Sequence, residues 1–164
     1  MEPILRLAKS SELNSIMEIY EDAKSYEGCV WDEYYPNREI LISDYENGGL
    51  YVYVKDDDII GAISVERDEE MEDIDCRKVK DGTQISFARV AIARKYLNQG
   101  YGRKMVEALL KILRNMGYNS VQIFVSPKNL SAVSIYKRLG FEFYCTLEAY
   151  DEIFYFCEKL LKDE

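Results

Sequence analysis

A glycine-rich turn, Gln99-Gly100-Tyr101-Gly102-Arg103, separates a strand-like apolar run at residues 85–92 from an amphipathic helical pattern that begins near Gly102. A strand, a glycine turn and a helix in this order make an anion site from the backbone. The first N–H groups of a helix have no partner within the helix and lie at the positive end of its dipole. Glycine keeps these groups accessible, and the Arg103 guanidinium suits forked contact with phosphate oxygens. The segment therefore predicts a strand–helix unit with a phosphate site at its turn.

The rest of the chain shows the periodicities of an α/β protein. Alternating or apolar runs bounded by turn residues predict strands at 4–7, 50–55, 59–65, 84–92, 120–125, 141–146 and 154–159. Apolar residues at helical spacing predict helices at 13–23, capped by Ser10 or Ser11, at 38–46, from 102 to a C-terminal Gly117, and at 130–139. Asp56, Asp57 and Asp58 are predicted to form a hairpin turn, and the carboxylate-rich residues 66–75 a solvated loop.

This order of elements predicts one domain over residues 1–164, with a mixed α/β sheet and helices on both faces. The strand–helix–strand passage at 85–125 implies a parallel pair joined by a right-handed crossover. Ligands of such sheets gather at the carboxyl ends of parallel strands, which is where the glycine turn falls.

Composition limits the function. The net charge of −9 opposes binding to nucleic acid and favours a cationic partner such as an amine. No apolar run is long enough to span a membrane and no signal-peptide pattern is present, so we expect a cytoplasmic protein. The four scattered cysteines are expected to be reduced thiols rather than zinc ligands or a disulfide framework.

The chain contains no histidine. This absence excludes Ser-His and Cys-His nucleophilic machinery and imidazole metal sites, and no metal is expected. Proton transfer must use carboxylates, tyrosines, thiols, amines or water. A calcium loop of the EF-hand type does not fit residues 66–75, because alternating ligands and a central glycine are missing.

Asn129 and Tyr136 are seven residues apart, so they share one face of the helix predicted at 130–139. Asn129 can donate and accept hydrogen bonds to an amide-containing ligand, or it can cap the helix. Tyr136 can donate a proton, or it can be a half-buried aromatic. Neither residue alone decides between these interpretations.

Together, the run Val90-Ala91-Ile92, the glycine turn, Asn129, Tyr136 and Leu139-Gly140-Phe141 resemble the GNAT superfamily of acyl-CoA-dependent N-acetyltransferases. The resemblance covers nearly the whole chain in element order, and its motifs span residues 85–143. It implies a central sheet that is mostly antiparallel, with one parallel pair splayed at the CoA site. A dinucleotide fingerprint fits less well, since it requires glycine where Met105 stands.

The resemblance implies a role for each motif residue. Backbone groups of the first run would pair with the pantetheine arm, and one N–H there would face the thioester oxygen; the residues are Val90, Ala91 and Ile92. The turn would hold the pyrophosphate through Asn98, Gln99, Gly100, Tyr101, Gly102 and Arg103. Asn129 would contact pantetheine, and Tyr136 would protonate the departing CoA thiolate. Leu97 and Asn98 depart from the family pattern, which often has Arg or Gln and then glycine at these positions.

An amine with a pKa near 10.4 is almost wholly protonated at neutral pH, so the enzyme must remove a proton or take amines of lower pKa. Glu66 and Ser86 are candidates for this step by position, and Asp32 and Glu33 for binding the acceptor's charge. Aromatic faces attract ammonium groups. An acceptor wall, or alternatively a hydrophobic cap, is predicted from Trp31, Tyr34, Tyr35 and, between the last two strands, Tyr150.

The sequence thus predicts transfer of an acetyl group from acetyl-CoA to an amine, by direct attack in a ternary complex. The acceptor is a small molecule or a protein amine, and the enzyme is a monomer or homodimer. The alternative is a non-catalytic acyl-CoA-binding sensor or interaction module of the same fold.

Overall fold

The computed structural model describes residues 2–67, 71, 73–149 and 151–161. The strands in this part of the chain are β1 (Ile4–Leu7), β2 (Leu50–Lys55), β3 (Asp58–Glu66), β4 (Gln84–Ile92), β5 (Ser120–Val125), β6 (Glu142–Ala149) and β7 (Glu152–Leu160). The α-helices are α1 (Leu13–Ala23), α2 (Arg38–Glu46), α3 (Tyr101–Asn115) and α4 (Leu130–Arg138). The order of the predicted elements is confirmed.

The strands form one sheet in the order β1-β2-β3-β4-β5-β7-β6. Every neighbouring pair is antiparallel except β4 and β5, which are parallel and joined through α3. The predicted mixed sheet is therefore confirmed, and so is the parallel pair predicted for the strand–helix–strand passage at residues 85–125.

Helices cover both faces of the sheet, as predicted. On one face α3 buries an apolar stripe against the sheet, made by Met105, Val106, Leu109, Leu110 and Leu113. Full burial of a side chain of this size stabilises the fold by about 1.5–3 kcal/mol. On the opposite face α1 and α2 pack their buried side chains on β2 and β3, through Ile16, Ile19, Tyr20, Ala23 and Leu41.

Helix α1 begins at Leu13 as predicted, but its capping differs from the sequence prediction. Neither Ser10 nor Ser11 caps the helix through its side chain; both lie in a 3₁₀ turn that leads into α1. The Glu12 carboxylate accepts from the Lys9 N–H at 2.8 Å and pairs with Arg6 at 2.7 Å. The capping interaction at this turn is therefore made by the Glu12 carboxylate rather than by a serine hydroxyl.

Two hairpin boundaries also differ. Only Asp56 and Asp57 form the first turn, with φ values of 49° and 70°, because Asp58 already pairs with Lys55. Strand β6 extends to residue 149 since its pairing with β7 continues to the Asp151 turn. Of the carboxylate-rich segment, Glu66 belongs to β3 rather than to the loop.

Candidate functional site

Strands β4 and β5 diverge soon after they begin. Their pairing consists of Gln84 with Ser120 and Ile85 with Val121, whereas β4 continues to Ile92. A β-bulge interrupts the other edge of β4, where Ala91 pairs with β3 but the two residues before it have no partner in the described register. Val90 is one of these two residues, so it has no cross-strand partner in the register with either β3 or β5. The splayed pair expected from the resemblance is present at this place.

The glycine turn follows β4 after a short 3₁₀ turn, Arg94–Tyr96. Asn98 and Gly100 both have positive φ, 61° and 83°, and Gly100 is the N-cap of α3. No side chain caps this helix end. A Cβ built on Gly100 would meet nothing within 4 Å, so the space above the turn is open. The end of α3 is thus uncapped and its surroundings at Gly100 are open, which suits an anionic ligand.

Basic side chains surround this turn. Lys55, at the end of β2, donates to the Tyr101 hydroxyl at 3.0 Å, and Lys104 lies 5.7 Å from the centre of the Tyr101 ring. Arg103 pairs with Glu107 at 3.7 Å, and the Gln99 amide donates to the Lys95 carbonyl at 3.0 Å. Lys55 was not expected from sequence, because it reaches the turn through the hairpin register and has no local signal.

The loop after α1 lies across the mouth of the diverging strands. The Tyr26 hydroxyl donates to the Ile92 carbonyl at 2.8 Å. Gly28, with φ of 81°, packs so closely on the start of α4 that a Cβ there would lie 2.6 Å from the Lys128 carbonyl oxygen. The loop thus contacts both β4 and α4. The Ile92 carbonyl keeps a second lone pair for a ligand.

Asn129 is the N-cap of α4. Its Oδ1 accepts from the Ala132 N–H at 3.1 Å, which is the capping alternative considered for this residue. The amide nitrogen takes no part in that bond and can donate to a ligand. Asn129 therefore lies between the end of β5 and the start of α4, with one of its two polar side-chain atoms committed to the helix.

Tyr136 lies under α4 and is only 5% exposed. Its ring centre is 5.8 Å from that of Phe87 on β4 and 5.5 Å from that of Phe141. Burial, together with the nearby Cys157, raises the pKa of Tyr136 above its ordinary value of 10.0. The phenol is therefore protonated throughout the neutral range and can act as a donor.

On the opposite face, part of the predicted aromatic wall is assembled. Trp31 packs edge-on against Tyr35, with ring centres 6.4 Å apart, and against Tyr20 at 5.7 Å. Tyr34 is 74% exposed and stands outside this cluster, as does the exposed Glu33. Asp32 caps its own turn by accepting from the Tyr34 N–H at 2.8 Å. Tyr150 lies outside the described residues.

A buried arginine connects this wall to β4. Arg89, at the bulge with φ of 52°, donates to both carboxylate oxygens of Asp44 at 2.7 and 2.9 Å. It also donates to the Tyr35 hydroxyl at 3.0 Å and to the Glu66 carboxylate. Burial lowers the pKa of Arg89, but the bonds to Asp44 and the charge of Glu66 outweigh it and hold that pKa above its usual range.

One cation and two carboxylates leave a net negative charge at this place. Asp44 is buried on α2, and its Oδ2 also accepts from Ser64 at 2.8 Å. The Glu66 side chain is 30% exposed, so the negative charge reaches the surface through it. Ser86 pairs with Glu66 across the sheet and is buried. The structure thus brings Glu66, Ser86, Trp31 and Tyr35 to one side of the β4 bulge.

Sequence reasoning missed Arg89 and Asp44, although each carries a signal. Arg89 is the only charged residue in the apolar run at 85–92, and Asp44 lies three residues after buried Leu41 on α2. A charge at a buried position requires a partner. These two positions therefore indicate a pair, although they do not say which residues form it.

Two general features complete the description of the site. Among the described residues, no group of three or more His, Cys, Asp or Glu is arranged to hold a metal ion. No helix of the described chain has the length and apolar character needed to cross a membrane.

Comparisons with known proteins agree with this geometry. Residues 13–141 match the model of the acetyltransferase (GNAT) family. The chain is 30% identical over 102 residues to N-alpha-acetyltransferase 30 of Schizosaccharomyces pombe. The matched stretch covers 61% of this chain and 61% of that protein. It thus spans less than two thirds of the length of this curated relative.

Two solved structures share the fold. An acetyltransferase of the GNAT family from Streptococcus agalactiae superposes with a TM-score of 0.83 at 21% identity, covering 99% of this chain and 96% of the other. The acetyltransferase yncA from Salmonella typhimurium, solved with its cofactor acetyl-CoA, gives a TM-score of 0.75 at 18% identity, covering 100% and 96%. At these identities the two structures bear on the fold.

Proposed function

Because the chain belongs to the GNAT acetyltransferase family, we propose that it transfers an acetyl group from acetyl-CoA to an amine acceptor by direct attack in a ternary complex. The observation that carries this proposal is the divergence of β4 and β5 between an uncapped glycine turn and buried Tyr136. Three features of this region fit the reaction. The uncapped end of α3 suits an anion, Val90 of β4 has no cross-strand partner, and the Tyr136 phenol is a proton donor.

Residues of the donor side fit acetyl-CoA. The open space above Gly100 and the uncapped end of α3 suit the pyrophosphate, with Lys55 and Arg103 nearby. The backbone of Val90, which has no cross-strand partner, and the carbonyl of Ile92 suit an amide-bearing arm. Likeness to a structure solved with acetyl-CoA supports the same assignment. When bound, acetyl-CoA supplies an acyl group activated as a thioester.

The chain's own groups assist the transfer at two atoms. The Val90 N–H, on a residue with no cross-strand partner, can donate to the thioester oxygen as negative charge develops there; one such donor typically contributes a factor of about 10²–10³. The Tyr136 phenol, kept protonated by burial, gives its proton to the departing thiolate sulfur. The Asn129 amide nitrogen, which takes no part in capping α4, can donate to the donor arm.

The acceptor side lies on the opposite face of β4. The rings of Trp31 and Tyr35 provide apolar surface and quadrupoles for a cationic amine, and Glu66 provides the partly exposed carboxylate. Glu66 pairs with Arg89 and is partly exposed, and we assign its carboxylate to binding the ammonium group of the acceptor. Ser86, buried beside it, is the second polar group of this face.

The chain has no histidine to act as a base, which favours an acceptor of low pKa. An α-amino group has a pKa of about 8, whereas the lysine side chain has one near 10.4, so far more of the α-amine is neutral at pH 7.4. The similarity to a protein named N-alpha-acetyltransferase 30 points in the same direction. We therefore expect peptide or small-molecule α-amines to react ahead of lysine side chains.

Direct attack is preferred to a cysteine-linked intermediate. Burial raises the pKa of the Cys29 and Cys157 thiols, in the case of Cys157 to about 12. A thiol of this kind is a poor nucleophile at neutral pH. The proposal further takes the protein as a cytoplasmic monomer or homodimer, and its net charge of −9 opposes binding to nucleic acid.

A thiol-release assay tests the proposal. Purified protein and acetyl-CoA are mixed with a panel of α-amines, alkylamines and lysine peptides, and free CoA is followed over time. Release that depends on an α-amine, with a matching acetylated product, is the expected result. Binding of acetyl-CoA without amine-dependent release across the panel would instead favour the sensor or interaction module.

A further inference from the structure

Two cysteines that are distant in sequence have their sulfur atoms in contact. The Sγ atoms of Cys76 and Cys145 are 3.3 Å apart, although 69 positions separate the residues along the chain. Cys76 is exposed, in the segment between β3 and β4, and Cys145 is half-buried on β6. The sulfurs need to approach by only about 1.3 Å to reach the length of a disulfide bond.

Contacts on the β3–β4 segment hold Cys76 in this position. Two and three residues farther along, the N–H groups of Lys78 and Val79 donate to the Glu158 carboxylate of β7 at 2.7 and 3.2 Å. The Gln122 amide on β5 donates to the Val79 carbonyl at 2.8 Å. The segment is therefore fastened to the sheet immediately beside Cys76.

The β6 side is fastened as well. The Lys78 ammonium pairs with Glu142 at 3.2 Å and lies 5.5 Å from the centre of the Tyr144 ring, which is the neighbour of Cys145. These contacts keep the two thiols near each other without a covalent bond. A pair held in this way closes a bond at high effective concentration, because little chain motion has to be given up.

We propose that Cys76 and Cys145 are a reversible disulfide site that reacts with low-molecular-weight disulfides such as oxidised glutathione. The Cys76 thiolate attacks one sulfur of the small disulfide and expels one thiolate. The Cys145 thiolate then attacks the Cys76 sulfur and expels the second. The two protons of the protein thiols pass to the two departing thiolates, so the protein is oxidised and one disulfide becomes two thiols.

The difference in exposure between Cys76 and Cys145 indicates which thiol reacts first. Cys76 is exposed and can be reached by a small disulfide, whereas burial and the contact with Cys76 raise the pKa of Cys145 to about 11. Cys145 is therefore the resolving thiol. In a reducing cytosol the pair stays reduced, and a more oxidising glutathione ratio closes it.

Closure ties the β3–β4 segment to β6. Arg67, Met71 and Arg77 of this segment line a cavity over the start of β4, together with Gln84 and Ser86. A cross-link between residues 69 positions apart restricts the unfolded chain strongly, which corresponds to a rise in Tm of about 10 °C for a chain of this size.

The test uses the full chain equilibrated with oxidised and reduced glutathione at graded ratios. Thiols are then blocked, counted in denaturant and mapped by mass spectrometry. We expect the free thiols to fall from four to two, with a Cys76–Cys145 peptide, a higher Tm, and reversal by dithiothreitol. Cys29→Ser is the matched control and should form the same disulfide.

The single variants separate the two roles. Cys145→Ser should stop at a glutathione adduct on Cys76, and Cys76→Ser should show neither the cross-link nor the rise in Tm. Four free thiols in the wild type under the oxidising ratios would overturn the proposal, and so would a cross-link to Cys29 or Cys157. Amine acetylation does not enter this measurement, so it stands or falls apart from the proposed function.

Discussion

Arg89 of β4 donates two hydrogen bonds to the carboxylate of Asp44 on α2, at 2.7 and 2.9 Å, although 45 positions separate the two residues. The same guanidinium reaches Glu66 on β3 and Tyr35 in the loop after α1. One buried cation therefore joins the strand that carries Val90 to the aromatic wall on the proposed acceptor side.

This pair gives the first prediction. Asp44→Asn leaves the Arg89 charge buried with a weaker partner, and breaking a buried pair costs about 3–5 kcal/mol. We expect the free energy of unfolding, measured by urea denaturation, to fall by roughly that amount. Glu142→Gln, which breaks the exposed pair with Lys78, is the control and should cost less than about 1 kcal/mol. Equal losses in the two variants would contradict the prediction.

The glycine turn gives the second prediction. Gly100 and Gly117 lie at opposite ends of α3, both have positive φ, and both have open space where a Cβ would stand. Valine at either position strains the backbone by about 1–3 kcal/mol. We expect similar losses of thermal stability, but a CoA affinity lowered at least about tenfold only in Gly100→Val, measured by calorimetry. Unchanged affinity there would remove the turn from the cofactor site.

Tyr136→Phe tests the proton donor through a single oxygen. The ring and its contacts with Phe87 and Phe141 are kept, so the melting temperature and acetyl-CoA affinity should hardly change. General-acid assistance is typically worth about 10²–10⁴-fold, and we expect kcat to fall by a factor in this range. If kcat is unaltered while chemistry limits the rate, the phenol has no role in the transfer.

Two adjacent tyrosines provide a matched pair for the acceptor wall. Tyr35 contacts the Trp31 ring and Arg89, whereas Tyr34 is 74% exposed. A cation–π contact contributes about 0.5–2 kcal/mol, so Tyr35→Ala should raise the amine KM by roughly 2- to 30-fold with little effect on the KM of acetyl-CoA. Tyr34→Ala should leave both constants near their wild-type values. The reverse order would place the acceptor elsewhere.

Glu158 makes the fold sensitive to acid. Burial raises its pKa, but hydrogen bonds from the Lys78 N–H, Ser120 and Gln122 outweigh burial and hold the pKa below the ordinary 4.5. Its contribution is therefore complete above that value and is lost as the pH falls through the lower, folded-state pKa. Glu158→Gln should lose about 2 kcal/mol at pH 7, and the difference should shrink below about pH 4. A constant difference across this range would contradict the assignment.

The sequence predicts the fold well because its signals are local. The apolar stripe of α3 and the alternation in β2 and β3 each lie within a dozen residues, and the bounds of these elements agree with the structure to within two residues. The capping of α1 is predicted less well, since the Glu12 carboxylate used there is held by a pairing with Arg6. That pairing is a tertiary contact with no periodic signature.

The candidate site divides in the same way. The glycine turn, Asn129 and Tyr136 stand out because they lie in short segments of regular structure. Arg89 and Asp44 could not be paired from sequence, because their contact depends on how α2 packs across the sheet. Tyr26 was missed for a similar reason, as its hydrogen bond to Ile92 spans 66 positions.

The loop after α1 limits how the acceptor specificity of this protein can be redesigned. Three contacts fix its path. The Tyr26 hydroxyl donates to the Ile92 carbonyl, Gly28 packs closely on the backbone of Lys128, and Arg89 donates to the Tyr35 hydroxyl. A change in its length would disturb both β4 and the start of α4. Variation is best confined to the exposed Glu33 and Tyr34, where side chains can be exchanged without altering the path of the chain.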